Sequence, residues 1–182
     1  MPLIYQVPDD KKVRVIVDSD AACEADDPFA IAHALLCDKF IVKAIFAEHF
    51  NCEGSMKQSF EEIQRFVKAM KKEVPVFVGE IGKLSEKGTG EISEASSFLI
   101  REALREDDKP LYVLCIGAIT NIASAIQACP DIVPHMTVVW IGGQSHEHST
   151  GEVREFNAGN DIEAANLVLG SGVRFWQIPN DV

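Results

Sequence analysis

The sequence predicts an α/β protein whose centre is an open, mostly parallel β-sheet flanked by helices. Three observations predict it. Short runs rich in Val, Ile and Phe alternate with longer helix-like runs, giving six strands, the last with no helix after it. The strand runs are apolar throughout rather than alternating, the pattern of strands buried on both faces. Polar and acidic residues gather just after these runs, at the carboxyl ends of the strands, where open parallel sheets bind ligands. A chain of 182 residues is long enough for one domain with a sizeable core. Residues 1–12 are polar and read as a loosely held lead-in; residues 13–182 read as the domain.

Val13-Arg14-Val15-Ile16-Val17 is the first strand, central by its unbroken apolar content. An acidic stretch follows, then a helix over residues 27–37 with Pro28 in its first turn, where a missing N–H costs nothing. His33 sits inside this apolar helix and is expected to be a packed, hydrogen-bonded core residue. Residues 41–47 form the second strand, which runs into the polar loop Glu48-His49-Phe50-Asn51-Cys52-Glu53-Gly54. Met56, Phe60, Ile63, Phe66, Val67 and Met70 recur at spacings of three and four, predicting an amphipathic helix over 55–72. Residues 74–78 are a third strand, and 79–93, rich in Gly, Lys and Glu, read as a mobile loop. A helix follows over 93–105, with Ser93 or Ser96 as its cap. Then come a strand at 111–116, a helix at 120–128 closed by Cys129-Pro130, and a strand at 136–141 closed by Gly142-Gly143. The stretch 144–156 is polar, residues 161–169 are helical up to Gly170-Ser171-Gly172, and 173–178 form the last strand.

Composition excludes some partners. The net charge of −11 and the lack of a basic stripe disfavour a phosphate backbone as ligand. The five cysteines, Cys23, Cys37, Cys52, Cys115 and Cys129, are odd in number and scattered, which fits a reducing compartment rather than a disulfide framework. Cys115 lies within a strand run, where packing is its expected role. No apolar run approaches membrane-spanning length, and the N-terminus lacks the basic start and apolar block of a signal peptide. The expectation is a soluble, cytoplasmic protein. Neither GxGxxG after the first strand nor GxxxxGK[ST] is present, which argues against the usual dinucleotide and P-loop sites.

The chemistry concentrates in Asp18-Ser19-Asp20-Ala21-Ala22-Cys23-Glu24-Ala25-Asp26-Asp27. Carboxylates this close repel one another unless a cation or a hydrogen-bonding ligand compensates. Oxygen-only ligation suits a hard ion, calcium or magnesium. The plainer alternative is a solvated acidic loop in which Asp26 or Asp27 caps a helix. Three further loops fall at predicted carboxyl strand ends: the one at Asn51, the turn Ile116-Gly117-Ala118-Ile119-Thr120-Asn121, and the stretch through Glu155-Phe156-Asn157 to Asp161. In a parallel sheet all four share one edge, and Gly117 frees the Ile116 carbonyl to face a ligand. His146 and His148 have no third partner for zinc and read as part of a solvated or substrate-facing loop. His49 is near Asn51, and the sequence leaves its direction open.

Here the motifs carry a resemblance. Asp18, Asp20, Asp26 and Asp27 resemble the DxDxGxDD signature of the inosine-uridine preferring nucleoside hydrolases. Ile116 to Ala123 resembles that family's GxLTNIA element, and Glu155-Phe156-Asn157 with Asp161-Ile162-Glu163-Ala164-Ala165 its EFN…DPEAA element. The resemblance implies a Rossmann-like core and hydrolysis of the N-glycosidic bond of ribonucleosides, giving free base and ribose. It implies a Ca2+ cofactor held by Asp20, Asp27 and the Ile116 carbonyl. It implies that Asp20 takes a proton from the attacking water, that Asp26, Asn51, Glu155 and Asn157 hold sugar hydroxyls, and that Asp18 braces the loop. It also implies a homo-oligomer.

Three features depart from the family pattern. The spacer Ala21 to Ala25 is two residues longer than the family's three, as in a divergent branch. Ser149 stands where some members carry an asparagine. The family's last calcium-binding aspartate, often preceded by a histidine near the leaving base, has no counterpart here, Asp181 included. These departures motivate the alternative of a non-catalytic sugar- or nucleoside-binding module. A third expectation is a structural domain that pairs with a partner to cover an open edge.

Overall fold

The β-branched runs become strands and the amphipathic runs become helices, with boundaries moved where caps and prolines dictate. The computed structural model describes residues 6–86, 92–145 and 155–180. The strands are β1 (Val13–Ser19), β2 (Phe40–Ala47), β3 (Val76–Phe77), β4 (Leu111–Cys115), β5 (Met136–Ile141) and β6 (Arg174–Ile178). The helices are α1 (Asp26–Leu36), α2 (Ser55–Ala69), α3 (Glu94–Ala103), α4 (Thr120–Ala128), α5 (Phe156–Asn160) and α6 (Ile162–Gly170). All six strands lie in one sheet in the order β3-β2-β1-β4-β5-β6, and every neighbouring pair is parallel.

This order builds outward from β1 in one direction through β3, then returns to β1's other side with β4. The reversal leaves a crevice between the carboxyl ends of β1 and β4, the topological switch point at which such sheets bind ligands. Asp18 pairs with Cys115 across it, and the Ile116 N–H donates to the Asp18 carbonyl at 2.9 Å.

The two faces of the sheet are buried unequally. Ile16, Phe46, Val113 and Val138 point to one face and pack under Leu99 of α3, Ile122 and Ile126 of α4, and Val168 of α6. Val15, Val17, Ile45 and Ala47 point to the other and pack under Ile31 and Ala34 of α1 and Ile63 and Val67 of α2. On that second face no helix among the described residues covers the half of the sheet beyond β1. Val13, Val15, Phe40, Tyr112, Leu114, Val139 and Trp176 line an apolar groove there, and Trp176 is 52% exposed.

Several sequence expectations are corrected. β1 runs through Ser19, so Asp18 belongs to the strand and not to a loop. β3 has two residues, because Pro75 offers no N–H to the ladder and contributes only its carbonyl to Ile45. α2 ends before Met70, where Lys71 turns left-handed at φ 54°. His33 is exposed, because Ile31 and Ala34 take α1's buried side. The stretch after β3 is not all mobile loop. Glu80 and Leu84 are buried, a 3-10 turn spans Leu84–Glu86, and the Leu84 N–H donates to Asp161 Oδ2 at 2.7 Å. The helix α5 was not foreseen; Glu155 caps it. His146, His148, Ser149, residues 151–154 and Asp181 lie outside the described residues.

Candidate active site at the switch point

Alternation along β1 sorts the acidic stretch. Ser19 points toward α1, where its Oγ donates to Asp27 Oδ1 at 2.5 Å. Asp18 points toward α4, where its Oδ1 accepts from Asn121 Nδ2 at 2.8 Å. Asp20 follows the strand end, and the Cys23 N–H closes a turn on its carbonyl at 2.7 Å. Asp26 and Asp27 form the first turn of α1, where the positive end of the helix favours anions.

A cavity of about 220 Å³ opens above this edge. Asp20, Asp26 and Asp27 line one side, and Ile116, Glu155 and Asn157 line the other. Cys23, Glu24, Phe156 and Asn180 complete the rim. Six sequence-predicted residues therefore meet in one cavity. Asn51 does not line it; it is exposed on the loop after β2, left-handed at φ 56°. Asp18 is fully buried beneath it.

The opposite wall is built by backbone capture. Asn157 Nδ2 donates to the Ile141 carbonyl at 2.9 Å and to the Ile116 carbonyl at 3.3 Å. Both Glu155 oxygens are occupied by backbone: Oε1 accepts from the Asn157 N–H at 2.9 Å, and Oε2 from the Ala158 and Gly143 N–H groups at 2.8 and 2.6 Å. Trp140 Nε1 holds the Gly117 carbonyl at 3.0 Å. A Cβ on Gly117 would stand 2.7 Å from Asp20 Oδ1, so only glycine lets the β4–α4 turn close against that carboxylate.

Electrostatically the site is unsatisfied. Burial, then the nearby Asp27 charge, pushes the Asp20 carboxyl up to about 8. Burial raises Asp18 to about 7 against the hydrogen bond from Asn121. Burial raises Asp27 to about 6 against the Ser19 hydrogen bond. Glu48, wholly buried behind Asp18, is raised well above the usual carboxylate range by burial and by Asp18. Asp18 Oδ2 and Asp20 Oδ2 are buried without a hydrogen-bond partner. Buried carboxylates in this state call for a proton or a cation.

The donor set suits a hard cation. Asp20, Asp27 and the Ile116 carbonyl present oxygen alone; Asp20 Oδ1 packs at the Gly117 turn, and its other oxygen, Oδ2, is the unpartnered one. Among the described residues no three Asp, Glu, His or Cys side chains are gathered at metal-binding distance. Two carboxylates and a carbonyl supply part of the roughly 6–8 oxygens calcium takes.

Sequence reasoning missed Ser19, Glu48 and Asn180 here. Period-two alternation along β1 was the available signal for Ser19; for Glu48, a charged residue at the end of an apolar strand; for Asn180, its place just past the last strand. His49 is resolved by the structure. It is fully buried, its Nε2 lies 2.9 Å from Thr120 Oγ1, its Nδ1 accepts the Asn51 N–H, and it does not line the cavity.

The sequence model of the inosine-uridine preferring nucleoside hydrolases matches residues 15–182. The chain belongs to that family. The non-specific ribonucleoside hydrolase RihC of Escherichia fergusonii is 36% identical over 91 residues, which are 49% of this chain and 30% of that protein. RihC of Shigella sonnei is 36% identical over 84 residues, 46% of this chain and 28% of that one. Among solved structures, an inosine-guanosine nucleoside hydrolase superposes with a TM-score of 0.74 at 24% identity, over 92% of this chain and 60% of the other. The plant nucleoside hydrolase PpNRh1 gives 0.78 at 18% identity with the same coverage. Both share the fold. The chain thus spans about three fifths of these structures, and its aligned stretch spans under a third of RihC.

Proposed function

We propose that this protein hydrolyses the N-glycosidic bond of ribonucleosides to free base and ribose, with Ca2+ as cofactor. The observation that carries the reading is the meeting of two buried carboxylates, Asp20 and Asp27, with the Ile116 carbonyl at the switch point of a nucleoside hydrolase-family fold. Asp20, Asp27 and the Ile116 carbonyl would hold the ion, which supplies polarisation of water and sugar hydroxyls when bound. Asp20 Oδ2, left without a protein partner, takes the proton of the attacking water. The water oxygen bonds to the anomeric carbon as the carbon–nitrogen bond breaks, its electron pair leaving on the base nitrogen, which takes a proton from solvent. The transition state is oxocarbenium-like, and a ring of carboxylates stabilises its positive charge. Asp26, Glu155 and Asn157 hold sugar hydroxyls, Glu155 acting in part by fixing Asn157; Asn51, outside the cavity in this conformation, would join them only if the loop after β2 moved inward. Asp18 braces the floor.

The test is chromatographic detection of free base from a panel of purine and pyrimidine ribonucleosides with calcium present. Base release abolished by Asp20→Asn supports the reading; no release from any nucleoside contradicts it. A second reading, a sugar or nucleoside held without cleavage, is favoured by the longer spacer Ala21 to Ala25 between the aspartate pairs. Saturable binding without product would establish it.

The five free cysteines support a cytoplasmic setting. No helix among the described residues is long and apolar enough to cross a membrane. The open apolar groove beside Trp176 supports a homo-oligomer.

A further inference from the structure

Asn121 is the second residue of α4 and is fully buried. All of its hydrogen-bonding groups are spoken for, and by separate parts of the chain. Its Nδ2 donates to Asp18 Oδ1 at 2.8 Å and to the Ala47 carbonyl at 3.1 Å. Its Oδ1 accepts the Glu80 N–H at 2.7 Å. Its own N–H donates to Glu48 Oε2 at 3.1 Å, and its carbonyl accepts from Ser96 Oγ at 2.9 Å. The end of β1, the end of β2, the loop after β3 and the first turn of α3 are all registered on this one residue. A Cβ on Gly79 would stand 1.9 Å from the Ala47 carbonyl and 2.6 Å from Asn121 Nδ2, so the loop is pressed onto the amide as closely as backbone allows.

The amide is used at both ends, which makes its chemistry specific. An ionised aspartate has the same shape but cannot donate to Asp18 or Ala47, a protonated one can serve only one of the two, and alanine can do neither job. The consequence reaches the cavity. Asp18 lies two residues before Asp20, and its carbonyl accepts the Ile116 N–H at 2.9 Å. Asn121 also begins the helix that follows the Ile116–Gly117 turn, the turn packed against Asp20. It therefore grips both walls of the crevice at once: β1 through Asp18, and the β4–α4 turn through its own backbone.

We infer that Asn121 is a positioning residue for the candidate active site: its side-chain amide sets the separation between the Asp20 carboxylate and the Ile116 carbonyl oxygen. This rests on the reading of those two groups as cation ligands. A spacing error at such a shell costs affinity and turnover even when the fold survives. A buried asparagine with a merely structural role would lower stability and leave the folded protein's site intact.

The experiment compares the 182-residue chain with Asn121→Asp, with the swap Asp18→Asn/Asn121→Asp, and with Val168→Ala, a core change on α6. Calcium ion alone is titrated by calorimetry at a temperature where urea unfolding shows every variant folded. Hydrogen exchange at the Ile116 amide is followed in parallel. Expected are a calcium affinity at least tenfold weaker and an Ile116 amide exchanging at least tenfold faster in Asn121→Asp. The swap, which rebuilds the carboxylate–amide hydrogen bond in reverse, should recover part of both, and Val168→Ala should change neither beyond twofold. Wild-type calcium affinity and amide exchange in Asn121→Asp, with stability alone reduced, would overturn the inference. If the parent chain takes up no calcium, the cation reading fails, and the Ile116 exchange rate alone decides the positioning role.

Discussion

Single residues at the crevice carry most of the chemistry, and their protonation makes a signed claim. The fold raises Asp18, Asp20 and Asp27 from 3.8 to about 7, 8 and 6. Between about pH 4 and 8 the folded chain therefore binds more protons than the unfolded chain, so its stability falls as pH rises through that window. Unfolding midpoints of the metal-free protein should drop steadily from pH 5 to pH 8, and calcium should flatten the slope by favouring the ionised carboxylates. A midpoint that rises over the same range would show that these groups are not buried as described. Replacing Asp20 by Asn removes the proposed proton acceptor and should reduce base release by about 10²–10⁴-fold while the fold persists. Gly117→Ala drives a methyl toward Asp20 Oδ1 and should impair turnover more than stability; equal activity in this variant would mean that the contact is slack. The aspartates were legible in the sequence as a motif, but their partners were not. Asn121 is 103 positions from Asp18, and no local pattern announces such a bond.

Individual elements show where polarity patterns mislead. Strand runs identified the sheet because all-apolar segments of that length have few other uses. The short helix α5 escaped because five residues carry no periodicity, and its cause is a capping side chain rather than an amphipathic face. Glu155→Ala leaves three backbone N–H groups without their acceptor, and a cap alone is worth about 0.5–2 kcal/mol. Loss of about 2 kcal/mol in urea unfolding is expected, together with weaker ribose binding as Asn157 loosens. At the amino end of the sheet, Arg14 is buried with its Nη1 3.0 Å from Glu102 Oε1 and 2.8 Å from the Glu102 carbonyl. Arg14→Ala removes the closest partner of buried Glu102, leaving it the longer pairs to Lys43 and Arg105 at 3.8 Å, and should cost about 1–3 kcal/mol. Being at the far end of β1, the change should spare calcium affinity in the folded fraction.

The whole molecule places its acids by topology. A strand order that reverses beside β1 brings residues 20, 27, 116, 155 and 157 to one edge, although they span most of the chain. That convergence followed from reading the strands as parallel, which is why the site was legible as a set before any contact was. The exposure of half a sheet face was not legible, because Trp176 and Tyr112 look like core in sequence and become core only if something covers them. If the groove is an interface between copies, Trp176→Glu should shift the sedimentation of concentrated protein toward smaller species, and unchanged sedimentation would remove the groove from the account. The central claim is the cation site at the switch point. Calorimetric titration of calcium into this chain beside Asp27→Ala tests it most directly. Binding by the parent chain that is lost in the variant is the predicted result; no binding by the parent, or equal binding by both, would contradict it.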